Sequence, residues 1–245
     1  MQRSPVLHDP ASVLSLRHGL TWVLLALSAG AVNAGAFLWA DRFVSHVTGA
    51  ATRLGTGTWS AVLESAFLLL AFILGAVASV LALQARTLRG LPARHALPLV
   101  VTSALVSGVA LVGDTGFVSS EGRELILLGV LGFAMGLMNA SVASSTALAV
   151  RTTHMTGPAS DFGVNLGVAF FASGAERVQA LKVAALRGTK VLGFVSGALL
   201  MVPLAGALGS LALVAPAAFI LLAAHRSFGL ADLSSSPLTT RKVVS

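Results

Sequence analysis

The chain has 245 residues, of which 56% are hydrophobic and only 10% charged, and it contains no cysteine. Soluble domains carry about 25% charged residues, so this composition indicates an integral membrane protein, and the missing cysteine excludes disulfides and thiolate chemistry. The formal charge of +7 is assigned to loops beside an anionic cytoplasmic leaflet and not to nucleic acid, because no basic stretch is interleaved with stacking aromatic residues.

The first half of the chain predicts a polar tail followed by three membrane spans. Residues 1–19 are interrupted by prolines and lack an apolar core, so we expect a cytoplasmic tail and no cleaved signal peptide. At 1.5 Å per residue, apolar runs of about 17 to 25 residues cross roughly 30 Å of hydrocarbon. Such runs lie at 20–40, 59–83 and 96–112. They make residues 20–112 a first three-span unit, and the turn-forming residues 113–124 an external loop.

The second half, 125–224, predicts three more spans and a less regular segment at 158–190. The fourth span is expected at 125–150, while the apolar run 162–175 is too short to cross and favours a re-entrant or interfacial piece. Residues 176–190 have a basic amphipathic pattern, which is typical of a helix lying on the cytoplasmic membrane surface. The last apolar block, 191–224, is long enough for two short helices with a turn near residues 206–210, and 225–245 is a cytoplasmic tail.

Four landmarks recur in the same order in the two halves. They are Gly-x-x-Asn-Ala at 30–34 and 136–140, His-x-Thr-Gly at 46–49 and 154–157, Leu-Gly or Phe-Gly at 54–55 and 162–163, and Phe-x-x-Gly-Ala at 72–76 and 194–198. This recurrence indicates an internal duplication. In each copy the His-x-Thr-Gly motif follows the end of a long apolar run, so it predicts a break in a helix.

The distribution of basic residues predicts the orientation in the membrane. With six spans, 13 of the 16 Lys and Arg residues lie on one side and only Arg42, Arg53 and Arg123 on the other. The positive-inside rule then places both termini in the cytoplasm. Three spans per half force the second copy to enter the membrane upside down, so we expect two inverted repeats related by a pseudo-two-fold axis in the membrane plane.

Two asparagines stand near the ends of the first and fourth spans, Asn33 and Asn139. A polar side chain in an apolar helix either hydrogen-bonds a neighbouring helix, worth about 0.6 to 2 kcal/mol, or serves as a substrate or ion ligand at the interface between repeats. The sequence is compatible with both roles.

The two His-x-Thr-Gly motifs carry the remaining candidates. Glycine lets the backbone break, and threonine can hydrogen-bond the freed carbonyls. The imidazoles either cap or brace the break, or titrate near neutral pH and gate transport. Asp161 and Arg151 flank the second motif and either pair across it or remain solvated. The candidate pathway comprises Asn33, His46, Thr48, Gly49, Asn139, His154, Thr156, Gly157 and Asp161.

The motifs at 30–34 and 46–49, with their copies at 136–140 and 151–157, resemble the YoaK-like family of bacterial six-span membrane proteins. The resemblance runs from about residue 20 to 224 and implies an inner-membrane protein of a family without an established activity. The polar position of the first span is often Asp in that family and is Asn33 here, which argues against borrowing a proton-coupled role.

These observations predict a secondary transporter or permease for a small solute. The alternative is a non-transporting membrane scaffold, with an intramembrane enzyme a distant third, because no hydrolase, metalloprotease or nucleotide-binding motif is present in the sequence. We expect no metal and no cofactor. The expected partners are the lipid bilayer and an unidentified small solute, with self-association left open.

Overall fold

The computed structural model describes residues 7–8, 16–113, 121–148 and 150–229, and all regular elements in these ranges are helical. The helices are α1 Leu16–Ala40, α2 Val47–Thr56, α3 Trp59–Leu88, α4 Ala96–Val112, α5 Glu121–Ser145, α6 Thr156–Phe171, α7 Gly174–Leu208, a 3₁₀ turn Gly209–Leu213 and α8 Val214–Ser227.

Four stretches are long and apolar enough to cross a membrane. They are His18–Ala40, Trp59–Leu88, Gly122–Ser145 and Gly174–Ser227, with mean hydropathies of 1.7 to 2.7, and Ala96–Val112 is a shorter apolar helix. The last stretch has 54 residues, too many for one crossing at 1.5 Å per residue. The 3₁₀ turn interrupts it where Gly209 adopts a left-handed φ of 56°. The predicted turn near residues 206–210 is therefore confirmed.

The structure corrects the predicted surface helix at 176–190. These residues form the first half of α7, which continues without interruption from Gly174 to Leu208. The break falls earlier, at residues 172–173, where α6 ends and Gly174 takes a φ of 54°. Gly188 and Gly193 lie close to Lys190 without interrupting the helix, and the side chain of Lys190 is buried against backbone carbonyls.

The outer helices α3 and α7 each run beside an inner helix of the other half. Along α1 and α7 the numbers of the contacting residues increase in the same direction: Val23 faces Gly193, Leu27 faces Gly197 and Gly35 faces Met201. Those between α5 and α3 do the same: Gly129 faces Phe67, Gly132 faces Leu68 and Gly136 faces Phe72. Each of these pairs is therefore parallel, and each joins one half of the chain to the other.

Glycines bring each parallel pair into backbone contact, in two zones that we call the glycine seams. In the first seam, a Cβ on Gly30 would lie 2.8 Å from the carbonyl carbon of Phe194, and one on Gly197 would lie 2.7 Å from that of Leu27. The second seam repeats this with Gly136 against Phe72 and Gly75 against Phe133, at 2.8 Å in both cases. Residues offset by 106 in α1 and α5, and by 122 in α3 and α7, thus make the same contacts.

The remaining inner helices are antiparallel neighbours joined by buried hydroxyl groups. Thr102 of α4 donates to the carbonyl of Ala134 in α5 at 3.3 Å, and Ser28 of α1 donates to that of Pro216 in α8 at 3.1 Å. Ser103 of α4 donates to the carbonyl of Ala217 in α8, and Ser210 of the 3₁₀ turn before α8 donates to that of Ala110 in α4, both at 2.8 Å. Hydroxyl-to-carbonyl bonds of this kind satisfy polar groups inside an apolar bundle.

The core lies between α1, α4, α5 and α8, whereas α3 and α7 form the outside. Fully buried core side chains include Leu25, Leu99, Leu131, Met138 and Ile220. The outer helices expose leucine, isoleucine and phenylalanine side chains along their length, for example Leu70, Leu81, Leu192 and Leu199, each more than half exposed. Such an outward apolar surface suits contact with lipid.

Candidate functional site

Asn33 ties the end of α1 to the loop that leads into the first His-x-Thr-Gly motif. Its side-chain NH₂ donates to the hydroxyl of Ser45 at 2.6 Å and to the carbonyl of Ala29 at 3.0 Å. Its side-chain oxygen accepts the backbone N–H of Ser45 at 3.1 Å, and the residue is 5% exposed. The amide is therefore used to hold the residue that directly precedes His46.

Asn139 makes the corresponding tie in the second half. Its side-chain oxygen accepts the backbone N–H of Thr153 at 3.3 Å, and Thr153 directly precedes His154. This bond is longer than that of Asn33, and Asn139 is only half-buried. Each asparagine bonds within its own half of the chain, to the loop that it precedes.

The first motif forms the start of the short helix α2. His46 is the residue before Val47, the first residue of α2, and a Cβ on Gly49 would lie 2.7 Å from a ring carbon of His46. Glycine leaves room for the imidazole in this position. Thr48 is exposed, and its carbonyl accepts the hydroxyl of Thr52 at 3.1 Å.

The second motif starts the helix α6 in the same way. His154 accepts the backbone N–H of Gly157 through Nε2 at 3.1 Å, which satisfies one of the free N–H groups at a helix N-terminus. This bond requires the tautomer with an unprotonated Nε2. A Cβ on Gly157 would lie 3.0 Å from that nitrogen. Thr156 is the first residue of α6 and is exposed.

Charged side chains hold the two breaks, and they differ between the halves. At the first break, Arg42 of the loop donates to the carboxylate of Glu64 in α3, from Nε at 2.9 Å and from a terminal nitrogen at 2.8 Å. At the second break, Lys190 of α7 donates to the carbonyl of Arg151 and, at 3.3 Å, to that of His154.

Asp161 pairs with a residue other than the one considered from the sequence. Its carboxylate lies 3.2 Å from Nε of Arg187 in α7, so it joins α6 to α7. The backbone carbonyl of Asp161 also accepts the side chain of Asn165 at 2.7 Å. The hypothesis that Asp161 pairs with Arg151 is therefore replaced by the pair with Arg187, and the carbonyl of Arg151 faces Lys190 instead.

Sequence reasoning missed the partners of the two asparagines and the role of Lys190. Ser45 and Thr153 are both hydroxyl residues placed directly before the motif histidine. Aligning the halves on that histidine would have shown this correspondence. Nothing in the sequence marks Lys190, because its partners are backbone carbonyls.

A cluster of aromatic and imidazole rings closes the end of the bundle where α1 begins. His8 stacks edge-on against His18, Trp22 and Phe228, with ring centroids 4.5 to 5.6 Å apart. Burial and the neighbouring His18 lower the pKa of His8 from 6.5 to about 4. Burial also lowers the pKa of His95, whose Nδ1 lies 2.9 Å from the Ser145 hydroxyl.

The outer surface carries an apolar groove of about 320 Å³ between α3, α4 and α5. Phe67, Leu70, Leu74, Ile126 and Phe133 are among its lining residues. A groove of this composition can take an acyl chain but offers no partner to a polar solute. Within the ranges that the structure describes, no three His, Asp or Glu side chains are grouped closely enough to hold a metal ion.

These features define a helical membrane-type protein whose two halves contact each other through equivalent landmarks. The chain belongs to the family described as Protein of unknown function (DUF1275), whose family model matches residues 21–225. No curated protein and no solved structure matches the chain.

Proposed function

We propose that the chain crosses the membrane six times as two inverted three-span repeats, α1, α3 and α4 in the first and α5, α7 and α8 in the second. The pairwise directions support this. α4 is antiparallel to α5 and to α8, and α8 is antiparallel to α1. Three reversals give the equivalent helices α1 and α5 opposite directions, as an inverted repeat requires.

We propose that the protein is a secondary transporter or permease for a small solute in the bacterial inner membrane. The observation that carries this proposal is the pair of helix breaks, equivalent in sequence, each tied by an asparagine to the residue before a motif histidine. On the proposed topology they lie at opposite ends of the bundle. Interrupted helices at equivalent positions of inverted repeats are how many transporters build their solute and ion sites.

The proposed pathway keeps the nine residues expected from the sequence, Asn33, His46, Thr48, Gly49, Asn139, His154, Thr156, Gly157 and Asp161. The bonds above give them a first role in shaping the breaks. Contact with solute would follow when a break opens, because its carbonyls and N–H groups then lose their internal partners. We assign no catalytic role, metal or cofactor.

A scaffold is the second candidate, and one observation favours it. The hydroxyl groups of Ser28, Thr102 and Ser103 are buried, and all three donate to backbone carbonyls of neighbouring helices. They thus tighten the core, as a protein that only assembles with others or with a second copy would need. A transporter must open this core to pass a solute, whereas a scaffold keeps it closed, so the experiment must measure opening.

Solute binding and uptake separate the two candidates. Purified protein is screened by thermal shift against sugars, amino acids, carboxylates and polyamines, and each stabilising compound is tested for uptake into proteoliposomes. We expect Asn33→Ala and His154→Ala to abolish uptake, while Thr87→Ala, a control whose hydroxyl bonds the carbonyl of Leu83 within α3, retains it. Binding and uptake that survive both substitutions would contradict the proposed pathway.

Cysteine labelling tests the proposed topology, with both termini in the cytoplasm, and with it the YoaK-like six-span resemblance. The chain has no native cysteine. Gly122→Cys is suitable because no atom of the described residues lies within 4 Å of a Cβ there, and Leu91→Cys because that residue is 40% exposed. An impermeant maleimide should label the first in intact cells and the second only after permeabilisation. Labelling of both from the same side would contradict six spans.

A further inference from the structure

Lys190 is a buried ammonium group bonded to the backbone of the second break. The residue is 4% exposed, and within the described chain its bonded partners are the carbonyl oxygens of Arg151 and His154. Burying a charge is costly unless it is paired and hydrogen-bonded. The two loop carbonyls therefore coordinate the ammonium group of Lys190. In transporters, the carbonyls of unwound helix segments coordinate bound cations in the same way.

The charges around Lys190 do not replace these carbonyls. Arg151 and His154 face it from the loop, Arg187 lies one turn away on α7, and Asp161 faces it from α6. Among these neighbours Asp161 carries the negative charge, and its carboxylate is paired with Nε of Arg187 at 3.2 Å. The positive charge of Lys190 is therefore balanced mainly by the two carbonyl dipoles, and these carbonyls lose a cationic partner if Lys190 is removed.

The first break has no equivalent group. The 122-residue offset that relates Gly75 to Gly197 places Leu68 at the position of Lys190. There the loop is held by the ion pair of Arg42 with Glu64 instead. Lys190 is therefore a specific addition to one break and not a requirement of the repeated fold.

We propose that the carbonyls of Arg151 and His154 form a cation site which the ammonium of Lys190 occupies, and that this occupation keeps the second break closed. Without Lys190 the site takes a small primary ammonium ion from solution. The proposal goes beyond transport, since closure by Lys190 needs no solute.

Thr152 provides a reporter of closure. The residue is 1% exposed, and within the part of the chain that the structure describes its hydroxyl has no hydrogen-bond partner, so Thr152→Cys is a small change that breaks no bond seen there. In a chain without native cysteine, its maleimide labelling rate measures opening of the loop. We expect Lys190→Met to raise this rate at least tenfold. Lys182→Met, which removes an exposed lysine of the same helix, should change it less than twofold.

Chemical rescue tests the cation site directly. Lys190→Ala removes the three carbons and the nitrogen that propylammonium supplies. We expect 50 mM propylammonium to slow labelling of Thr152→Cys in Lys190→Ala at least threefold, and neutral 1-propanol to have no such effect. Fast labelling that neither compound slows, or slowing by both alike, would overturn the cation site.

Lys190→Arg keeps a charged donor and serves as the test variant if the other substitutions prevent folding. If Lys190→Met and Lys190→Ala are lost from the membrane, normal accumulation and slow labelling of Lys190→Arg support the proposal, and tenfold faster labelling overturns it. Equal rates for Lys190→Met and its parent also overturn it. All labelling rates are measured without solute. A negative labelling result therefore does not contradict the transport proposal, and a negative uptake result does not contradict the role of Lys190 in closing the second break.

Discussion

The backbone contact in the second glycine seam gives a sharp test of how the halves are joined. A Cβ on Gly136 of α5 would lie 2.8 Å from the carbonyl carbon of Phe72 in α3 and 3.1 Å from its Cα, whereas ordinary contact begins at about 3.4 Å. These atoms are backbone, so no side chain can rotate away, and the helices must separate by at least about 0.6 Å. Overpacking of this kind costs about 1–3 kcal/mol, and we expect Gly136→Ala to lie near the upper value.

The effect is measured as a melting temperature in detergent, by size-exclusion chromatography after heating. At about 2–4 °C per kcal/mol for a chain of this size, Gly136→Ala should melt about 6–12 °C below the parent. Gly108→Ala is the matched control, because in the described chain nothing lies within 4 Å of a Cβ on that glycine of α4. It should melt at or above the parent temperature, since alanine favours a helix by up to about 1 kcal/mol. Equal melting of Gly136→Ala and the parent would refute the glycine seam.

Three further predictions concern the ties and the terminal cluster. Asn33→Ala should cost about 2 kcal/mol of stability and Asn139→Ala about 1 kcal/mol, because the first amide makes three buried bonds and the second one long bond; equal losses in thermal melts would contradict this. A double-mutant cycle on Arg42→Met and Glu64→Gln should give about 0.2–1 kcal/mol, the range of partly exposed pairs, and a coupling of zero would remove the pair as a tie. Folding lowers the pKa of His8 to about 4, so the contribution of the neutral ring to stability is complete above pH 6.5 and is lost as the pH falls toward 4. The melting temperature of His8→Gln should therefore fall less than that of the parent between pH 6.5 and pH 4. An identical fall would count against burial of the His8 ring.

The class of the protein and many of its helix boundaries were predictable from the sequence. Apolar length located α1, α3, α4 and α5 but not the short helix α2, and the glycine and serine residues near 206–210 located the turn that the 3₁₀ segment makes. The repeated Gly and Phe landmarks were visible as a pattern, but their meaning was not. That Gly30 faces Phe194, and Gly136 faces Phe72, depends on which helices are neighbours, and local sequence does not carry this information.

The site was predictable as a set of positions and less so as a set of interactions. Asn33 was weighed as an interhelical bond or a ligand, whereas its amide bonds the loop twelve residues ahead. The long helix α7 was divided at Lys190 because the basic amphipathic pattern of residues 176–190 is typical of a helix on the membrane surface. Its carbonyl partners come from residues 36 and 39 positions earlier in the chain, beyond the reach of any helical periodicity.

The crossed pairing of the halves has a consequence for biosynthesis. Gly30 packs against Phe194, so this contact cannot form until residue 194 has been synthesised. Until then the face of α1 that carries Gly30 lacks the helix it packs against. The early helices must therefore wait in the bilayer, or beside an insertion factor, while most of the polypeptide is still being translated. Two separately expressed fragments, divided between residues 113 and 121, should each be degraded alone and survive when produced together.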